Sequence, residues 1–149
     1  MSEASSSRVI RADGVLELSM VNSTDDMQRL LDEVDVFLES VPASPRRKYG
    51  VRLALDELLS NIVKYAYADE AVHRVAVRIE TGAPFVLEIA DDGRPFNPVD
   101  DAPAPVLEGP VEDSPIGGLG LHMLRSLGMR MIYRRENGQN VLRVVFPDE

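Results

Sequence analysis

Cysteine is absent from the 149-residue chain, and histidine occurs only twice, as His73 and His122. The first absence excludes disulfides, thiolate nucleophiles, iron–sulfur clusters and cysteine-ligated zinc. Positive charge is also scarce. Sixteen Lys and Arg stand against 25 Asp and Glu, a formal net charge of -9, so a polyanion is repelled rather than gathered. No direct nucleic-acid partner and no membrane partner is expected. Long apolar runs are missing too: the longest stretch free of Asp, Glu, Lys and Arg is Ser114 to Leu124, far short of the roughly 20 apolar residues that cross a bilayer. The start, Met1-Ser2-Glu3-Ala4-Ser5-Ser6-Ser7-Arg8, has neither the basic opening nor the apolar core of a signal peptide. It predicts a cytoplasmic protein whose residues 1–13 are a disordered tail. Residues 14–149 suffice for a single domain with one core.

Within that domain the hydrophobic spacing changes period several times. Leu16, Leu18 and Met20 alternate with Glu17 and Ser19, a half-buried strand that is a candidate sheet edge. Ser23 or Thr24 with Asp25 and Asp26 forms a helix start, followed by Met27, Leu30, Leu31, Val34 and Leu38 at helical spacing. Ser44-Pro45 opens a second, longer helix with a stripe of Val51, Leu55, Leu58, Ile62 and Tyr65 that ends near Tyr67. Val75, Val77 and Ile79, then Phe85, Leu87 and Ile89, read as a hairpin, and Asn137-Gly138 joins two more strands. Between them, residues 99–116 hold four prolines and five acids without periodicity, and Gly117-Gly118-Leu119-Gly120 then opens a short helix. The expected fold class is a two-layer α/β sandwich: about five strands in a mixed, mostly antiparallel sheet with helices on one face.

Three constellations could carry chemistry. Glu57 and Asn61, one helical turn apart and about 40° around the axis, share the border of the apolar stripe. A carboxylate and an amide so placed can move a proton and hold a hard cation, although spacing alone favours a solvated helix border, since exposed Glu is the norm. Asp91 continues the inward row Phe85, Leu87, Ile89, so it must meet a partner with N–H donors or serve a strand-ending turn. Gly93 leaves room for a close approach there. The third is the glycine cluster, whose open backbone N–H groups suit a phosphate or simply a hinge. Met123 spoils a dinucleotide fingerprint, and no Gly-Lys-Ser/Thr exists.

Taken in order, Glu57-Leu58-Leu59-Ser60-Asn61, Asp91-Asp92-Gly93-Arg94-Pro95-Phe96-Asn97-Pro98 and Gly118-Leu119-Gly120-Leu121 resemble the three nucleotide-binding boxes of the GHKL superfamily of ATPases. The length and the Pro-Phe-Asn-Pro ending are similar to its branch of anti-sigma-factor serine/threonine protein kinases. The resemblance covers Val15 to Phe146. It implies a GHKL-type ATP-binding domain with a mobile ATP lid over residues 99–118 and ATP with Mg²⁺ as cofactors. By the same likeness Glu57 is the catalytic base and Asn61 the metal ligand. Nucleotide contacts fall on Asn61, Asp91, Gly93, Pro95, Phe96, Gly117, Gly118, Leu119, Gly120 and Leu121.

The implied activity is phosphorylation of a STAS-type anti-anti-sigma protein, alternating with sequestration of a sigma factor or similar regulator and exchange of ATP for ADP. A homodimer through the Val15 to Met20 edge is possible within this resemblance. The alternative is a nucleotide-binding sequestering module without phosphotransfer, because Ile116 and Gly117 stand where some members of the branch carry a cation. A Thr frequent on the last strand of such domains is replaced at Asn140-Val141-Leu142.

Overall fold

Both long helices begin where a serine can accept from the backbone. The computed structural model describes residues 10–12, 14–98 and 118–149. Helix α1 (Thr24–Glu39) is capped by Ser23, whose Oγ accepts from the Asp26 N–H at 3.1 Å. Helix α2 (Pro45–Tyr65) is capped by Ser44, which accepts from the Arg47 N–H at 3.0 Å. Such caps satisfy N–H groups that have no partner inside the helix, at a gain of about 1 kcal/mol each. Helix α3 (Gly118–Ser126) is shorter.

Leu30, Leu31, Val34, Phe37 and Leu38 of α1 and Val51, Ala54, Leu55, Leu58 and Leu59 of α2 form the buried helical layer. It covers one face of a sheet made of β1 (Ile10–Ala12), β2 (Val15–Val21), β3 (Arg74–Thr81), β4 (Phe85–Asp91), β5 (Arg130–Glu136) and β6 (Gln139–Val145). The strand order is β1-β2-β3-β4-β6-β5. Leu16, Leu18, Met20, Val75, Val77, Ile79, Leu87, Ile89 and Val144 face the helices. The opposite face carries Glu17, Arg78, Glu88 and Arg143, which lie side by side across four strands in alternating sign, an arrangement that favours this register. Among the described residues no helix is long and apolar enough to cross a membrane.

The two-layer α/β sandwich agrees with the sequence. Where a mixed sheet was allowed for, all five described pairings are antiparallel. Asn137 and Gly138 take φ of 52° and 75°, the left-handed pair that a two-residue hairpin turn requires. One expectation is corrected. Residues 10–12, assigned to a disordered tail, pair with β2 through Ile10↔Glu17 and Ala12↔Val15, so β1 occupies the β2 edge along Val15–Glu17. Three residues are too few to show a period of two. Of the expected lid, residues 99–118, all but Gly118 at the start of α3 lie outside the described residues.

Candidate functional site

The inward row of β4 ends in a carboxylate. Phe85, Leu87 and Ile89 are followed on the same face by Asp91, only 5% exposed, as the alternation demands. Its cross-strand neighbour on β6 is Asn140, and Arg135 on β5 stands next in the same row. Asp91 Oδ1 accepts from the Gly93 N–H at 2.8 Å and from Asn140 Nδ2 at 3.1 Å. Among the described residues no hydrogen-bond donor meets Oδ2. Burial pushes the Asp91 carboxyl above its ordinary range. The hydrogen bonds from Gly93 and Asn140 oppose that shift, the neighbouring Asp92 adds to it, and the Arg135 guanidinium opposes it. A displaced carboxyl of this kind, in a cleft, marks a functional-site candidate.

Above Asp91 opens a pocket of about 270 Å³. Leu58, Asn61, Ile62, Tyr65 and Ala66 of α2 and its C-terminal cap make one wall, and Ile89, Leu142, Tyr133 and Asn140 of the sheet make the other. Arg94, Phe96 and Pro98 close the side. An apolar slot with a few convergent polar groups suits a flat heteroaromatic ring whose edge is read by hydrogen bonds. Asn61 donates from Nδ2 to Glu57 Oε2 at 3.1 Å, so the helical pair expected from spacing is in contact. Asn61 lines the pocket and Glu57 stands behind it.

Gly93 explains the tightness of the turn after Asp91. A Cβ there would lie 2.6 Å from Ala66 Cβ, 2.8 Å from Ala66 O and 2.9 Å from Asp91 Oδ1, and the backbone is pinned because the Arg94 N–H donates to Ala66 O at 3.0 Å. Gly93→Ala is expected to destabilise the fold by about 1–3 kcal/mol through overpacking, measured as a lower urea midpoint at unchanged slope. The outer side of this turn is braced by His73, which stacks on Tyr67 at 3.9 Å and meets Asp69 Oδ1 at 2.7 Å and Asp92 Oδ1 at 3.4 Å. The hydrogen bond to Asp69 raises the His73 pKa.

Of the residues expected at the site, Asn61, Asp91 and Phe96 line the pocket. Gly93 holds Asp91 by its N–H, and Pro95 lies exposed between two lining residues. Gly118, Leu119 and Gly120 open α3, while Gly117 lies outside the described residues. Leu121 buries its side chain in the core at 1% exposure, because helical phase puts it with Leu124 against α2, and any ligand contact it makes is through its backbone. Sequence reasoning missed Tyr65, Tyr133 and Asn140 as pocket walls. Counting by two back from Val144 and Leu142 places Asn140 inward, a signal masked by its closeness to the Asn137-Gly138 turn.

One solved structure shares the fold. The histidine kinase domain of the Erythrobacter litoralis EL346 blue-light activated histidine kinase is 17% identical, with a TM-score of 0.55 over 92% of this chain and 69% of that one, a likeness of fold. A longer chain of the same kinase matches at 23% identity and a TM-score of 0.47, over 67% of this chain and 30% of its own length. A serine/threonine-protein kinase of Bordetella bronchiseptica, BtrW, is 32% identical over 102 residues, which are 66% of this chain and 70% of that protein. Residues 20–146, the span that carries the helix pair, the Asp91 row and the closing hairpin, match the model of the histidine kinase-like ATPase domain, and to that family the chain belongs.

Proposed function

We propose that the chain is an ATP-dependent serine/threonine protein kinase that works as a partner switch, binding a sigma factor or similar regulator and phosphorylating a STAS-type anti-anti-sigma protein. The observation that carries this reading is Asp91: a buried carboxylate at the floor of an apolar pocket, with one oxygen that meets no donor among the described residues, is what the exocyclic amino group of adenine requires. The 32% identity to a serine/threonine-protein kinase favours transfer to a hydroxyl.

In this reading Asp91 Oδ2 accepts from the adenine amino group, Gly93 leaves space for the ring, and Phe96 covers its side. Arg94, the sole cation among the described lining residues, meets phosphate charge. The backbone N–H groups at the start of α3, residues 118–121, meet the terminal phosphates. Among the described residues no cluster of three acidic or histidine side chains could hold a metal, so a cation depends on the Asn61 amide oxygen together with the nucleotide's phosphates. An amide oxygen fits a hard divalent ion. Mg²⁺, when bound, supplies charge neutralisation between the phosphates. Glu57 takes the proton from the acceptor hydroxyl as its oxygen attacks the γ-phosphorus, and ADP is released.

A second reading, a sequestering module that binds nucleotide without transfer, is favoured by that single lining cation. Incubation of the purified chain with γ-labelled ATP, Mg²⁺ and a STAS-domain protein decides between them. Label on a serine of the STAS protein is the expected result, and nucleotide-dependent complex formation without label would establish the module instead.

A further inference from the structure

Asn140 has more hydrogen bonds than the pocket wall needs. Its Oδ1 accepts from the Tyr133 hydroxyl at 2.6 Å, from Arg135 Nη1 at 3.1 Å and from the Phe96 N–H at 3.3 Å. Its Nδ2 donates to Asp91 Oδ1 at 3.1 Å and to the Arg94 carbonyl at 2.9 Å. Three donors lie on one side of the amide and two acceptors on the other, so only one orientation satisfies them all. Arg135 is fixed in turn by donating to the Gly93 carbonyl at 2.8 Å. Asn140 is 7% exposed, and it ties β6, β5 and the turn after β4 to one carboxylate.

Resting on the nucleotide reading above, we propose that Asn140 is the positioning residue that sets purine specificity, by aiming the second oxygen of Asp91, and no donor of its own, into the pocket. Both Nδ2 hydrogens are engaged, so the amide offers nothing to the oxygen of a 6-oxo purine. Its bond to Oδ1 leaves Oδ2 for the base, an acceptor that suits a 6-amino group and opposes a 6-oxo group. A side chain left unpaired against a buried group is a strong discriminator.

The ionised form of Asp91 is part of the device. Its charged and titratable neighbours are Asp92 just after β4, Tyr67 beyond α2 and Arg135 on β5, with Arg94 and Tyr133 lining the same pocket. Burial disfavours the carboxylate, and the Gly93 N–H, the Asn140 amide and Arg135 oppose that shift in part. A carboxyl that loses the amide is protonated at higher pH, and once protonated it donates, accepting a 6-oxo purine that it formerly opposed.

The test compares ADP and IDP binding by calorimetry, from acid to neutral pH, in the wild-type chain, Asn140→Ala and the isosteric Asn140→Asp. The wild type should prefer ADP by at least about tenfold, with ADP affinity falling as pH drops through the Asp91 pKa. In Asn140→Ala the preference should shrink by roughly tenfold and the acid limb should move to higher pH. Asn140→Asp should move it further, since two facing carboxylates cannot both ionise. Loss of ADP and IDP affinity by one common factor, with the acid limb in place, would show a merely structural Asn140 and overturn the inference. A wild type that binds neither nucleotide would instead overturn the nucleotide reading, and the inference with it.

Discussion

Glu57→Gln is expected to slow phosphoryl transfer by about 10²- to 10⁴-fold, the ordinary contribution of a positioned base, while nucleotide affinity changes little. The asymmetry follows from where the side chain stands. Glu57 is half-buried behind Asn61, outside the pocket lining, and its Oε2 accepts from Asn61 Nδ2 at 3.1 Å. The amide oxygen of glutamine can keep that hydrogen bond, so the shape of the α2 wall is retained and only the capacity to take a proton is lost. Single-turnover transfer to a STAS-domain acceptor, set beside ADP binding by calorimetry, measures both quantities. Transfer at an undiminished rate in Glu57→Gln would remove the base assignment and leave the residue a brace for Asn61.

Asp91→Asn is expected to weaken ATP and ADP binding roughly 100-fold, about 2.7 kcal/mol, without loss of stability. The Gly93 N–H and Asn140 Nδ2 both donate to Oδ1, so the new amide must keep its oxygen on that side and turn its NH₂ toward the pocket. Two donors then face each other where adenine's amino group would sit, each deprived of an acceptor. Stability moves the other way. Burial is the largest influence on the Asp91 carboxyl and raises its pKa. The folded state therefore disfavours the anion, and its penalty is greatest at neutral pH and disappears as pH falls below the unfolded value. A neutral amide removes that penalty, and the thermal midpoint at neutral pH should not drop. A large fall in the midpoint would mean that the binding loss reports unfolding rather than recognition.

The sequence carried most of the local structure and only half of the site. Both helix starts were legible because Ser23 and Ser44 are followed by residues that can exploit a cap, and the apolar stripes of α1 and α2 repeat over four or more turns. Asn137-Gly138 announced its hairpin because few residue pairs accept two left-handed conformations. Asp91 was readable as inward because alternation along one strand fixes a face. What lies beside it was not. The pairing of Asp91 with Asn140 joins residues 49 positions apart and depends on β6, rather than β5, docking against β4. Periodicity gives a residue's face and never its neighbour strand. Leu121 shows that a motif position can also be a core position, since helical phase buries its side chain while its backbone stands in the first turn of α3. Strand β1 escaped notice because its three residues, paired with Val15–Glu17 of β2, are too few to show an alternation.

The interior place of β6 has a consequence for biosynthesis. Because β4 is completed long before β6 is translated, a nascent chain emerging from the ribosome holds β4 as a bare edge, with Leu87 and Ile89 beside unpaired peptide groups, the kind of surface that invites adhesion to other chains. Only after the closing hairpin docks does Asn140 reach Asp91 and the pocket gain its sheet-side wall. Nucleotide capture by this chain thus becomes a late event of its synthesis, and a cellular ATP pool can stabilise the finished molecule by mass action but cannot chaperone the unfinished one.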